Sequence, residues 1–230
     1  MSKSNLERFA DMNIRIHLAI CVLLFLAACG DRSTVDTGGI VPSGTYAIDP
    51  GHTYITFYYL HQGLSFPLLR ATEIDGELEY DADDIENSSI NVAIAADSIR
   101  SNIDYFDREL ASRKFFNAER FPHITFRSDS YEELSENTGV VRGQGTIRGI
   151  TRPIELGVTL NNAIVHPLLD IPVIGFSATG SLNRSDFGLD RFITDVSDTV
   201  EFRIEIEFLH GSNDNSRAAV QLAGPATTGM

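Results

Sequence analysis

The stretch Val200-Glu-Phe-Arg-Ile-Glu-Ile-Glu-Phe208 decides the fold. Val200, Phe202, Ile204, Ile206 and Phe208 are apolar, and every residue between them is Glu or Arg. Successive side chains of a strand point to opposite faces, so strict period two gives one buried and one wet face. The alternation recurs at Ile154-Glu-Leu-Gly-Val-Thr-Leu160, Ile174-Gly-Phe-Ser-Ala-Thr-Gly180 and Ile90-Asn-Val-Ala-Ile94. Shorter versions are Ile55-Thr-Phe57, Leu78-Glu-Tyr80 and Ile124-Thr-Phe126, and residues 138–148, rich in Gly and β-branched side chains, also fit a strand. Asp49-Pro50-Gly51 and Asn161-Asn162 read as turns. Many short strands joined by turns predict a sandwich or a barrel. One segment breaks the rule. In Ser101–Phe116, Ile103, Phe106 and Leu110 are spaced by three and four, which predicts a short helix, with Ser101 and Asp104 as its N-terminal box.

Composition narrows the function classes. The chain has 230 residues, enough for one domain with extensions, and a formal net charge of -14 spread along its length. Phosphate binding needs a basic face, so nucleic acid is not an expected partner. Both cysteines, Cys21 and Cys29, lie in the N-terminal segment, so the body offers no disulfide, thiolate metal site or cysteine nucleophile.

The N-terminus reads as an address. Arg15 precedes the apolar run Ile16–Ala28, which is too short to span a bilayer comfortably. Leu26-Ala27-Ala28-Cys29 resembles a bacterial lipobox, so residues 1–28 are read as a lipoprotein signal peptide and Cys29 as the lipidated residue. Glu7 and Asp11 fit a basic n-region poorly, so either translation starts at Met12 or the longer leader is tolerated. Residues 29–43, rich in Gly, Ser, Thr and Asp, read as a flexible tether, residues 44–211 as the barrel domain, and residues 212–230 as a disordered tail.

Four blocks, in order, resemble the YceI-like family: Tyr46-Ala-Ile-Asp49-Pro-Gly-His52, Phe115-Phe116 through Pro122-His-Ile-Thr-Phe126, Gly145 through Gly149-Ile-Thr-Arg-Pro153, and Phe176 through Asn183-Arg184-Ser185-Asp186-Phe187-Gly188. The resemblance implies an all-β fold, an extended, lipocalin-like antiparallel barrel of about eight strands with one short α-helix near a barrel mouth. It also implies a long apolar ligand such as a polyisoprenoid or an isoprenoid quinone, with no cofactor. Phe106-Asp-Arg-Glu-Leu110, Leu69-Arg-Ala71 and His166-Pro-Leu-Leu169 depart from the family pattern near the expected mouth, which bears on the ligand's head group.

The candidate cavity residues, chosen by strand parity, are Phe57, Phe126, Phe176, Phe202 and Ile204; His52 is a structural hydrogen-bonder or a contact for a ligand's polar end. Asp49, Arg184, Ser185, Asp186 and Gly188 are read as structural, the last four as a turn with Gly188 at positive φ. Gly143, Gly145 and Gly149 are expected to allow strand bending or close approach of a ligand. The histidines show no metal-ligand spacing, and no nucleophile elbow is present, so no metal site and no enzyme activity are expected. An apolar strand face by itself suits a filled core as well as a ligand channel. The expected function is a periplasmic carrier of an apolar lipid, held to the membrane by its N-terminal lipid anchor, with the outer membrane favoured over the inner. A filled-barrel protein acting on an envelope or stress-related partner is the alternative, a hydrolase or isomerase on the same barrel is a third reading, and a homodimer is entertained.

Overall fold

The computed structural model describes residues 41–211. The signal peptide, Cys29, the tether up to residue 40 and the tail from residue 212 lie outside the described residues.

The strand segments are β1 (Gly44–Ile48), β2 (Tyr54–His61), β3 (Leu68–Ala71), β4 (Ile74–Tyr80), β5 (Ser89–Ala95), β6 (Ile99–Arg100), β7 (His123–Ser135), β8 (Thr138–Ile147), β9 (Ile150–Val165), β10 (Pro172–Asn183) and β11 (Val196–His210). Helix α1 (Asp104–Ala111) lies between β6 and β7. The ring β1-β4-β5-β7-β8-β9-β10-β11 is closed by β1 pairing back on β11, Ala47 opposite Leu209 and Ile48 opposite Phe208. β2, β3 and β6 prolong β1, β4 and β5. β2 continues along the same β11, from Tyr54 opposite Glu205 to Tyr59 opposite Val200, and carries β3, which carries β6. The result is an eight-stranded antiparallel barrel in up-and-down order.

Three neighbouring strands break where their segments meet. Between β1 and β2, the Asp49 carboxylate accepts the Gly51 N–H, as an Asx turn should. Between β3 and β4, the Ser98 hydroxyl accepts the Thr72 and Glu73 N–H groups. Ser98 itself sits in the turn between β5 and β6 and is 1% exposed. Side chains thus satisfy backbone amides at these breaks, while the buried Thr53 hydroxyl at the first has no hydrogen-bond partner among the described residues.

The structure corrects several sequence expectations. Asn161-Asn162 is not a turn: β9 runs through it with a bulge, Asn162 opposite Gly175 and Leu160 opposite Phe176. The extra residue changes parity, so Leu160 and Ala163 both face the core. The Asn161 side chain donates to the Ser177 hydroxyl, which a bulge satisfies as well as a turn would. The helix is shorter than Ser101–Phe116, and its cap is wider: the Ser101 hydroxyl donates to Asp107, not Asp104, and Ile103 occupies the cap position without a side-chain bond. The end of the presumed tether belongs to the body. Val41 is 3% exposed within the core, and the Tyr46 hydroxyl donates to the Pro42 carbonyl.

One end of the barrel is closed. Leu110 of α1 packs with Ile55, Leu69, Ile94 and Ile99, and Phe115 and Phe116 pack against Ile124 and Ile147. At the same end, Arg184–Phe187 form a single 3₁₀ turn that ends at Gly188 with φ 68°. Arg184 is 8% exposed, and its guanidinium donates to the carbonyls of Leu189, Arg191, Val196 and Ser197. The Ser185 N–H and hydroxyl both donate to Asp198, while Asp186 lies exposed. This clasp ties the β10–β11 loop to the closed end. A lysine cannot reproduce a planar fork that serves four carbonyls. Arg184→Lys therefore lowers the unfolding free energy by at least about 3 kcal/mol, read from urea midpoints, because buried carbonyls lose charge-assisted partners.

Candidate functional site

An eight-stranded barrel is wide enough to be filled by its own side chains or to hold one slim molecule. Here the axis is open. The interior encloses a cavity of about 210 Å³ whose walls are almost wholly apolar. A cavity of about 150 Å³ holds a benzene-sized molecule, so this one admits on the order of eight methylene-sized groups. Phe57, Phe126, Phe176, Phe202 and Ile204 all line it.

The space comes from where the rings lie. A Cβ on Gly180 would meet the Phe202 ring at 2.6 Å, and one on Gly143 would meet the Phe126 ring at 2.7 Å. Each ring thus takes up room beside a glycine of the neighbouring strand that a side chain there would fill. Gly145 lines the cavity and Gly143 does not. The Phe126 ring and the Ile154 side chain already occupy the room they provide.

The cavity is polarised along its length. Its inner part is bounded by Ile55, Ile94, Ile124, Ile147 and Leu182, toward the α1 end. The other end carries Tyr80, Ser88, Ser128, Ser130, Tyr131 and Glu136. β5 pairs with β7 only from Asn91 opposite Arg127 to Ala95 opposite His123. Beyond that, β7 continues with β8 alone and leaves a mouth beside the turn Ile85–Asn87. Tyr131 faces in because Asp129 is the extra residue of a bulge: Ser128 opposes Gly143, but Tyr131 opposes Val141. Gly139 leaves room for its ring, since a Cβ there would lie 2.4 Å from it. Burial, helped by Glu133 and Glu86, raises the Tyr131 hydroxyl above its ordinary value; burial and Asp81 do the same for Tyr80. Both hydroxyls stay protonated as donors.

Sequence parity found the apolar wall and missed the mouth. Period two, counted from Phe126, puts Tyr131 outside, and only the bulge brings it in. Strands of ordinary length also gave no sign that β7 outruns β5.

His52 lies outside this cavity. The β1–β2 break turns it to the outer surface, where its side chain is 57% exposed. Its Nδ1 is 2.8 Å from the carboxylate of the buried Asp49 and 3.9 Å from that of Glu207. The reading of His52 as a contact for a ligand's polar end is thereby corrected in favour of the structural one. Asp49, His52 and Glu207 place one potential metal-ligand atom each within 4.8 Å of one another. Scattered histidines hid this group, because barrel closure brings Glu207 in from β11. The Asp49 carboxylate is already engaged by the Gly51 N–H and His52, and the Asp49 N–H donates to the Glu207 carbonyl, so the group works as a clasp across the seam.

Comparison with known proteins gives a consistent picture. A family model described as YceI-like domain matches residues 46–208. A UPF0312 protein of Pseudomonas savastanoi is 30% identical over 166 residues, 71% of this chain and 86% of its own length. A UPF0312 protein of Pseudomonas fluorescens is 30% identical over 189 residues, 79% of this chain and 95% of its own. Among solved structures, Burkholderia cenocepacia BcnA superposes with a TM-score of 0.63 at 17% identity, covering 70% of this chain and 98% of its own. A polyisoprenoid-binding domain from Saccharophagus degradans gives 0.57 at 12% identity, covering 72% and 98%. At these identities the two structures establish the fold.

The seam clasp has a pH signature. The hydrogen bond to Asp49 is the largest cause raising the His52 pKa above its ordinary value, with the charges of Asp49 and Glu207 adding to it. A histidine raised on folding stabilises the fold fully below its unfolded pKa, about 6.5, and loses that contribution as pH rises through the higher folded value. The group is exposed, so the effect is small and salt-screened. Urea midpoints of the wild type should fall more steeply than those of His52→Gln as pH rises above about 6.5; parallel curves contradict the clasp.

Proposed function

The chain belongs to the family of YceI-like domains, and from that premise we propose that it binds a long apolar lipid of the polyisoprenoid class, isoprenoid quinones included, and carries it at the bacterial envelope. The observation that supports this most is the open apolar cavity inside a closed barrel. A filled barrel has no such space, and so the alternative reading loses its main premise. The Saccharophagus degradans domain described as polyisoprenoid-binding has the same fold.

The energetics suit a carrier. Burying a methylene is worth about 0.8 kcal/mol relative to water, so about eight of them offset on the order of 6 kcal/mol of exposure. The bilayer offers the same relief, and exchange between membrane and barrel is therefore near balance and reversible. Water alone is the barrier, and the apolar wall removes it.

Cys29, within its lipobox, would anchor the chain in the envelope, with the outer membrane favoured. Gly44, where β1 starts, pairs with Tyr80 at the mouth, and only fifteen positions separate it from Cys29. An anchor there tethers the end through which a lipid enters. The proposal is tested by native mass spectrometry of the full chain purified from a bacterial host, followed by organic extraction. Bound masses differing by whole isoprene units are expected. A lipid-free chain that stays lipid-free after incubation with quinones and polyprenols would sink the proposal.

A further inference from the structure

Resting on that lipid-binding reading, we infer that the mouth selects lipids with an uncharged, hydrogen-bond-accepting head group, a prenol or quinone, over prenyl phosphates. The polar head has one place to go. The inner part of the cavity is walled by apolar residues under the α1 end, where nothing replaces a head group's water. The mouth supplies hydroxyl donors instead. The Tyr80 and Tyr131 hydroxyls make no hydrogen bond among the described residues, and both rings line the cavity. The Ser88 and Ser128 hydroxyl oxygens accept the Asp81 and Ile90 N–H groups, and this leaves each O–H directed elsewhere as a donor.

Charge then decides between head groups that all accept hydrogen bonds. Among the described residues no Lys, Arg or His lines the cavity, and Glu136 lines its mouth. Glu86 and Glu133 act on the Tyr131 hydroxyl, and Asp81 on that of Tyr80. Arg142, on the adjacent strand, is held by Glu132 and Glu155 on the outer face. A phosphate needs a cation or a cluster of backbone N–H groups. Here it would enter among carboxylates well within a Debye length of about 8–10 Å. A quinone carbonyl or prenol hydroxyl meets the same donors without that repulsion.

The test is a competition on the lipid-stripped full chain between geranylgeraniol and geranylgeranyl phosphate, which share one tail, with a quinone bearing that tail as a third ligand. Native mass spectrometry at neutral pH and low salt reads the bound ratio. The alcohol and the quinone should each exceed the phosphate at least tenfold. The double variant E86K/E136K, altered at two exposed positions, should bring the phosphate to near parity. Equal or tighter binding of the phosphate by the wild type overturns the selectivity and leaves the lipid-binding reading intact, as does an unchanged ratio in the double variant. Binding of none of the three overturns both.

Discussion

Everything in this molecule depends on the closure of β1 onto β11. Without the Ala47–Leu209 and Ile48–Phe208 pairs the sheet would be open, with unpaired edges and no interior. With them, the alternate residues of every strand face one enclosed axis. The seam is where the chain invests its unusual polar chemistry. A nearly fully buried Asp49 bonds Gly51 and His52, and its N–H reaches the Glu207 carbonyl. The break that follows lets β1 hand over to β2 along the same β11 strand, so one chain segment both closes the ring and lengthens it.

The interior is a balance between packing and space. An apolar barrel of this size tends to fill itself, and in part it does: Tyr46, Ile174 and Phe208 form one packed cluster, and Phe187, Leu189 and Ile147 another. In between, Gly143, Gly180 and Ala178 keep the wall thin where Phe126 and Phe202 are thickest. The rings take up room beside those glycines, and the axis stays open. A polar mouth at one end and an apolar floor at the other give the cavity a direction, and with it a preferred orientation for an amphipathic guest.

Most of the strands and the apolar wall were legible in the sequence because period two is a local property, visible wherever a strand has one wet face. Val200–Phe208 alone assigns five inward positions. What escaped were the places where period two slips. The bulge at Asn161 looked like a turn, since amide side chains satisfy either. The bulge at Asp129, which turns Tyr131 into the mouth, has no local mark, because it depends on where β8 pairs. The Asp49–His52–Glu207 group joins residues far apart in sequence, and only closure assembles it. The Arg184 clasp was read as a turn, correctly as to Gly188, but the four carbonyls it serves come from a loop whose path the sequence does not state.

If lipid is held along the barrel axis by apolar burial, the open space beside Ala178 is what admits it. The most direct measurement is lipid occupancy of the full-length Ala178→Phe chain beside the wild type, with cooperative thermal unfolding followed in both. Adding a ring at a buried inward position should lower occupancy at least tenfold while the barrel still unfolds cooperatively, at a cost of about 1–3 kcal/mol. Unchanged occupancy in a folded variant would place the lipid elsewhere and contradict the account.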